Sequence, residues 1–173
     1  MAIGRDKIMS LTLISAGMAL YYCVILMLLA YYDYKSFRLP NVLNGLLFVG
    51  GLMSLLLHPR PWQEVILFMV LFGGGLYALS YYYLKRRGQV GLGLGDVKLV
   101  IAAGIWLPII YMPLILLGAS LSALIVTIVL YYYKQHRGLL DITESLRQQK
   151  IPFGLYLCFW FIIIYLSQAY LYV

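Results

Sequence analysis

Long apolar stretches alternate with short polar or basic segments along almost the whole chain. A helix that crosses a membrane needs about 20 apolar residues. The pattern predicts six such helices, near residues 10–32, 41–57, 62–84, 97–112, 114–133 and 152–172. Only Pro108 and Pro113 mark the turn between the fourth and the fifth. We therefore predict an all-α integral membrane protein, a polytopic bundle of about six transmembrane helices.

The composition supports this class. Of the 173 residues, 64% are hydrophobic and 11% are charged, whereas soluble domains carry about 25% charged residues. The length suits one membrane-embedded domain over residues 1–173. Arg5 and Lys7 before the first apolar run are typical of a signal peptide, but the run is too long and no cleavage site of small residues follows. We expect this run to stay in the membrane as the first helix.

The basic residues are distributed unevenly between the predicted loops. Ten of the 13 lysines and arginines fall in the first, third and fifth loops, and three fall on the opposite side. Loops rich in lysine and arginine stay in the cytoplasm, so these three loops are predicted to be cytoplasmic and both termini extracytoplasmic. The net charge of +7 then reflects orientation. No basic helical face points to nucleic acid as a partner.

The sequence contains no pattern typical of metal or cofactor binding. Cys23 and Cys158 lie in separate apolar segments, and His58 and His136 lie in separate loops. The sequence has no Cys-x-x-Cys pair and no other spacing that metal ligands use. We predict no metal site, no disulfide framework and no cofactor.

Two aspartates, Asp33 and Asp96, stand where predicted helices meet cytoplasmic loops. Asp33 follows the first helix and Asp96 precedes the fourth, so the predicted topology puts both on one side. Carboxylates at a membrane edge are costly and usually functional. In an aspartic protease, an ionised carboxylate takes a proton from water and a protonated one donates to the scissile carbonyl oxygen. The titration belongs to the pair, so neither residue is assigned a permanent role here.

Glycines dominate the segment before Asp96. Gly88, Gly91, Gly93 and Gly95 leave this segment flexible and free of bulk, so that an extended peptide backbone could approach closely. We expect Gly93 and Gly95 to bind substrate or to support the loop.

Two further elements stand at predicted helix starts on the same side. Pro40 suits the first turn of the second helix, and Asn41 follows it. Pro152, Phe153 and Gly154 open the last helix, where proline and glycine could leave backbone groups free to hold an extended peptide. We expect these five residues also to bind substrate or to support the loops.

Three segments resemble the motifs of type IV prepilin peptidases. The run Gly93-Leu-Gly-Asp96-Val-Lys98-Leu resembles the signature Gly-x-Gly-Asp-x-Lys-Leu. Asp33, followed by Pro40 and Asn41, is similar to the first motif, Asp-x6-Pro-Asn. Ile151-Pro-Phe-Gly154 resembles the late Pro-Phe-Gly element. The resemblance extends from Asp33 to Gly154 in the family's order.

This resemblance implies a membrane aspartic endopeptidase of the bacterial inner membrane. Such an enzyme removes the basic leader of a prepilin or pseudopilin on the cytoplasmic side, just after a glycine. Asp33 and Asp96 would be its catalytic pair, and its partners would be the substrate helix and the lipid bilayer.

The chain departs from the family pattern at two points. Longer members carry a Cys-x-x-Cys zinc domain and N-methylate the new pilin terminus; this chain lacks that insertion and is similar to the short peptidases of Flp-type pili. The resemblance therefore gives methyl transfer no support. Leu155 is the second departure, because many relatives have a proline there.

Several interpretations stay open on the sequence. Lys98 either contacts substrate or tunes Asp96, or it extends toward lipid headgroups. The run Gly73-Gly74-Gly75 in the third helix either permits close helix packing or acts as a hinge. The whole chain could instead be a small transporter or channel that uses the carboxylates for protons or cations. It could also be an inactive structural subunit of a pilus or secretion system.

Overall fold

The computed structural model describes residues 2–57, 59–87, 93–136 and 152–171, and within them the chain is helical and free of strands. Gly88, Gly91 and Ile151 lie outside the described residues. The elements in chain order are α1 (Ala2–Ser36), α2 (Asn41–Leu57), α3 (Trp62–Phe68), a π-helical segment (Met69–Gly74), α4 (Gly75–Arg87), α5 (Leu94–Gly104), a 3-10 turn (Ile109–Tyr111), α6 (Met112–His136) and α7 (Phe153–Leu171).

Three helical stretches are long and apolar enough to cross a membrane: Leu13–Ser36, Trp62–Arg86 and Ile109–Tyr133. Asn41–Leu57 and Phe153–Gln168 are shorter apolar helices. Large apolar side chains, including those of Val42, Leu56 and Leu117, cover the outer surface. A soluble protein rarely exposes so much continuous apolar surface. The chain is therefore an all-helical membrane protein.

The prediction of a single fourth helix over residues 97–112 is wrong. α5 ends at Gly104, and a turn over residues 105–108 separates it from the next helical segment. Pro108 accounts for the break, because proline lacks an N–H and disfavours the helical conformation of the residue before it. With 11 residues, α5 is about 16 Å long, roughly half the thickness of a bilayer core.

The core lies where α5 is enclosed by α1, α2 and α7. Tyr22 of α1 is fully buried and donates its hydroxyl to the carbonyl oxygen of Ala103 at 3.3 Å. Trp106, in the turn after α5, donates its indole N–H to the carbonyl oxygen of Leu47 at 2.9 Å. These bonds satisfy backbone carbonyls in surroundings that hold little water. They tie the end of α5 to α1 and α2.

Two charged residues from the α2–α3 region complete the break between α5 and α6. The Arg60 guanidinium donates to the carbonyl oxygen of Ile105. The Glu64 carboxylate accepts the N–H of Ile109 at 2.8 Å. Both backbone groups would otherwise lack a partner, because the helix is interrupted there. The two side chains therefore stabilise an interruption that apolar surroundings alone would disfavour.

We expect Glu64→Leu to lower the free energy of unfolding by about 1–3 kcal/mol, because the half-buried N–H of Ile109 loses its acceptor. Glu64→Gln keeps a carbonyl acceptor of the same length and should recover most of that loss. Unfolding in detergent micelles, followed by circular dichroism, measures both. Equal stability of Glu64→Leu and wild type would contradict this role for Glu64.

Candidate active site

Asp33 lies in the last turn of α1, and only 6% of its surface is exposed. The N–H of Phe37 donates to the carbonyl oxygen of Asp33 at 2.9 Å. Phe37 has φ of 50°, a left-handed conformation that commonly ends helices. Because Phe37 is not glycine, this conformation costs about 1 kcal/mol or more. The chain thus leaves the helix at Phe37, one turn after Asp33.

Asp96 lies in the first turn of α5, three residues after Gly93. The Asp96 N–H donates to the carbonyl oxygen of Gly93 at 3.0 Å. A Cβ atom on Gly93 would stand 3.1 Å from an Asp96 carboxylate oxygen, which is tighter than an ordinary contact. The glycine therefore leaves room for the carboxylate to fold back over the start of the helix.

Gly154, at the start of α7, lies directly beside both carboxylates. A Cβ atom on Gly154 would stand 2.9 Å from Asp33 Oδ2 and 3.1 Å from Asp96 Oδ1. The two oxygens are therefore no farther apart than about twice that distance. The structure thus brings together three residues that the sequence separates widely, and only a residue without a side chain fits at the third position.

The start of α7 donates hydrogen bonds to Asp33. The N–H of Leu155 reaches Asp33 Oδ2 at 2.9 Å, and the N–H of Gly154 also bonds this carboxylate. The first N–H groups of a helix have no partner within the helix, and the helix dipole is positive at this end. Both effects favour a negative charge on Asp33 and oppose the burial that disfavours it. Proline at position 155 would remove one of the two donors.

Asp96 is held in a different environment. Burial, and secondarily the negative charge of Asp33, raises the pKa of Asp96 from 3.8 to about 7. Asp96 lies outside the three long apolar stretches, in the short helix α5. Near neutral pH, Asp96 can therefore keep a proton, whereas Asp33 accepts backbone N–H groups that favour its ionised form. The two carboxylates are chemically unequal although they face one another.

A second set of predicted residues links α2 to α5. Lys98 Nζ donates to Asn41 Oδ1 at 2.9 Å, so Lys98 contacts the start of α2. Pro40 directly precedes α2, and its carbonyl oxygen accepts the N–H of Asn44 at 3.2 Å. A Cβ atom on Gly95 would meet Leu39 at 3.4 Å, an ordinary contact distance, so the α1–α2 loop rests on the start of α5. These contacts hold the loop after Asp33 against the helix that carries Asp96.

The last predicted element lies at the start of α7. Pro152 directly precedes the helix, where its missing N–H removes no helical hydrogen bond. Phe153 begins the helix and lines a cleft beside Asp96. The backbone groups expected to be free for a peptide are, at Gly154 and Leu155, bonded to Asp33.

A cleft of about 460 Å³ opens beside Asp96 and was not identified from the sequence. Its walls come from α4 to α7 and are mostly apolar. Ser80 of α4 and Ser120 of α6 lie among the lining residues. These two serines within membrane segments were the available signal, since polar groups there are often functional.

Asn44 of α2 is a second residue that sequence analysis did not single out. It is 5% exposed, and neither its side-chain nitrogen nor its side-chain oxygen has a hydrogen-bond partner. Asn44 and Lys98 line a groove between α2 and α5. Among the described residues, no group of three or more histidine, cysteine, aspartate or glutamate side chains could hold a metal ion.

Comparisons with known proteins agree with the motifs. The model of the type IV leader peptidase family matches residues 20–128. Leader peptidase HopD of Escherichia coli is 33% identical over 139 residues, which cover 79% of this chain and 83% of HopD. No solved structure shows a significant match.

Two further relatives carry the name prepilin leader peptidase/N-methyltransferase. The protein from Aeromonas salmonicida strain A449 is 31% identical over 140 residues, covering 80% of this chain and 45% of the relative. The protein from Neisseria gonorrhoeae is 34% identical over 97 residues, covering 55% and 32%. The chain thus spans less than half the length of these two relatives. With a family match over most of its length and a relative matched nearly end to end, the chain belongs to the type IV leader peptidase family.

Proposed function

We propose that the protein is a membrane aspartic endopeptidase that removes the leader of a prepilin or pilin-like protein, with Asp33 and Asp96 as the catalytic pair. The observation that carries this proposal is the convergence of two unequal carboxylates on Gly154 at the start of α7. Unequal carboxylates that face each other are the arrangement that acid–base hydrolysis by an aspartic diad needs. The names of the relatives support the substrate class.

The proposed reaction starts with a water molecule between the two carboxylates. Ionised Asp33 takes a proton from the water, and the oxygen attacks the scissile carbonyl carbon. Protonated Asp96 gives its proton to the carbonyl oxygen, which yields a neutral tetrahedral intermediate. When the carbon–nitrogen bond breaks, the leaving amine takes the proton held by Asp33, and one hydroxyl of the intermediate returns its proton to Asp96. The diad then has its starting protonation and one water has been consumed.

The proposed orientation follows from the basic residues. Ten of the 13 lysines and arginines belong to the three predicted loops on the side of the diad, which favours a cytoplasmic active site and extracytoplasmic termini in a bacterial inner membrane. In this arrangement α1, α2, the stretch from Trp62 to Arg86, α6 and α7 lie within the bilayer, and α5 enters it only partway. A substrate with a basic leader would be cut on the cytoplasmic side.

We expect Asp33→Asn and Asp96→Asn each to lower the cleavage rate by about 10²–10⁴-fold or more, because each removes one of the two proton-transfer groups. The measurement is co-expression with a tagged Flp-type prepilin, a gel shift for the leader and N-terminal sequencing. Asp141→Asn, at an aspartate outside the motifs, is the matched control and should cleave normally. Processing by either diad variant at the control's rate would rule the mechanism out.

The cleavage rate should fall both at alkaline pH and at acidic pH. Asp96 must hold its proton, and its pKa is about 7, so kcat/KM should fall as pH rises through about 7. The fall at acidic pH reflects protonation of Asp33. Leu155→Pro removes an N–H donor from ionised Asp33 and should lower the rate most at acidic pH. A rate that is flat between about pH 5 and 9 would contradict the acid–base scheme.

Gly154→Ala should impair cleavage although alanine favours helix. Its Cβ would stand 2.9 Å and 3.1 Å from oxygens of the two carboxylates, so α7 or the diad must shift. A displacement of about 1 Å at a reacting centre costs on the order of 10²-fold in rate. Gly45→Ala, at a glycine with no atom within 4 Å of its Cβ position, is the control. A cleavage assay combined with a thermal unfolding measurement distinguishes a displaced diad from a misfolded protein. An unchanged cleavage rate in Gly154→Ala would contradict the close approach of Gly154 to the two carboxylates.

A further inference from the structure

The cleft beside Asp96 has the size and chemistry of a peptide-binding site. Its volume of about 460 Å³ falls within the usual range for ligand pockets. Leu76 and Leu79 of α4 face Leu116 of α6 across it, and Ser80 and Ser120 add one hydroxyl from each of these two helices. Such a mostly apolar lining suits apolar side chains.

The cleft lies between two helices that do not pack closely together. α6 packs mainly on α7, and α4 makes only limited contact with α5. No close packing joins α4 to α6 along the described residues. Exposed apolar side chains on both helices, such as Leu84 and Leu124, face outward as lipid-contacting residues do. The gap between α4 and α6 therefore opens the cleft sideways toward the bilayer.

The helical stretch from Trp62 to Arg87 consists of α3, the π-helical segment and α4. Its two ends are held differently. Its first half, α3, carries Glu64, which bonds the backbone at the start of the 3-10 turn. The π-helical segment Met69–Gly74 and then Gly75 join this anchored half to α4. π-Helical segments occur frequently at functional sites and kinks, and glycine is the least helix-stabilising residue after proline.

The glycines at this junction have unequal surroundings. A Cβ atom on Gly73 would contact Ile101 of α5 at 3.2 Å, so Gly73 serves close packing. Cβ atoms on Gly74 and Gly75 would have no atom within 4 Å. Packing therefore does not explain glycine at these two positions, whereas flexibility of the backbone does.

We propose that α4 is the movable wall of the substrate cleft, hinged at Gly74 and Gly75, and that the apolar segment beside the scissile bond enters from the bilayer between α4 and α6. This inference rests on the proposed peptidase function and specifies the route by which its substrate helix reaches the diad. Outward movement of α4 admits the segment, and its return places the scissile bond against Asp96.

The test compares Gly74→Ala and Gly75→Ala with wild type on two substrates. One is a prepilin reconstituted with the enzyme in vesicles, and the other is a soluble peptide that contains only the residues around the cleavage site. Alanine stabilises a helix by about 1 kcal/mol relative to glycine, and neither substitution creates a clash. We expect thermal stability equal to wild type or higher, cleavage of the vesicle-bound substrate reduced about ten-fold, and cleavage of the peptide unchanged.

Gly45→Ala in α2 is the matched control, because its Cβ position is equally open and α2 does not border the cleft. It should cleave both substrates normally. Wild-type rates of both hinge variants on the vesicle-bound prepilin would overturn the inference. If wild type cleaved neither substrate, the proposed peptidase function itself would be contradicted, so the two failures are distinguishable.

A second measurement tests the movement directly. Leu79→Cys and Ser120→Cys place thiols on the two walls of the cleft, and a bifunctional methanethiosulfonate reagent can join them. Each single variant treated alike is the control for reaction at Cys23 and Cys158. The cross-linked double variant should lose cleavage of the vesicle-bound prepilin and regain it after reduction. Full cleavage while cross-linked would overturn movement of α4.

Discussion

The rest of the site depends on one contact, in which the start of α7 packs against the end of α1. Leu155 donates its N–H to Asp33, and Gly154 lies within contact distance of both carboxylates. The start of α7 thereby donates hydrogen bonds to Asp33, and its glycine leaves room for both carboxylates. Burial raises the pKa of Asp96, and the nearby charge of Asp33 adds to this shift. The inequality of the diad thus combines the burial of Asp96 with the backbone N–H groups that α7 donates to Asp33.

The position of Asp96 depends in turn on how α5 is held. This helix is too short to cross the bilayer, and its far end is fixed by Tyr22, Trp106 and Arg60 through backbone carbonyls. At its near end, Lys98 bonds Asn41. A short helix secured at both ends can present a carboxylate at a defined place. The neighbouring α4 is held less firmly, and it is the helix that borders the open side of the cleft.

Sequence reasoning succeeded where local pattern determines structure. The boundaries of α2 were predicted as residues 41–57, and those of α6 and α7 within a few residues, because each is an uninterrupted apolar run. It failed over residues 97–112, where an equally apolar run contains an interruption. Hydropathy does not distinguish a continuous helix from a broken one when the break is satisfied by Arg60 and Glu64 from elsewhere in the chain.

The sequence by itself determined the all-helical membrane class, the order of the helices and the family motifs that single out Asp33 and Asp96. These properties follow from runs of apolar residues, which must form helices in lipid, and from short motifs. Only the tertiary structure decided that Leu155 donates to Asp33, 122 positions away in the sequence, that Lys98 contacts Asn41, and that a cleft opens beside Asp96. Such relations depend on how helices pack, and packing is a property of surfaces that no local pattern encodes.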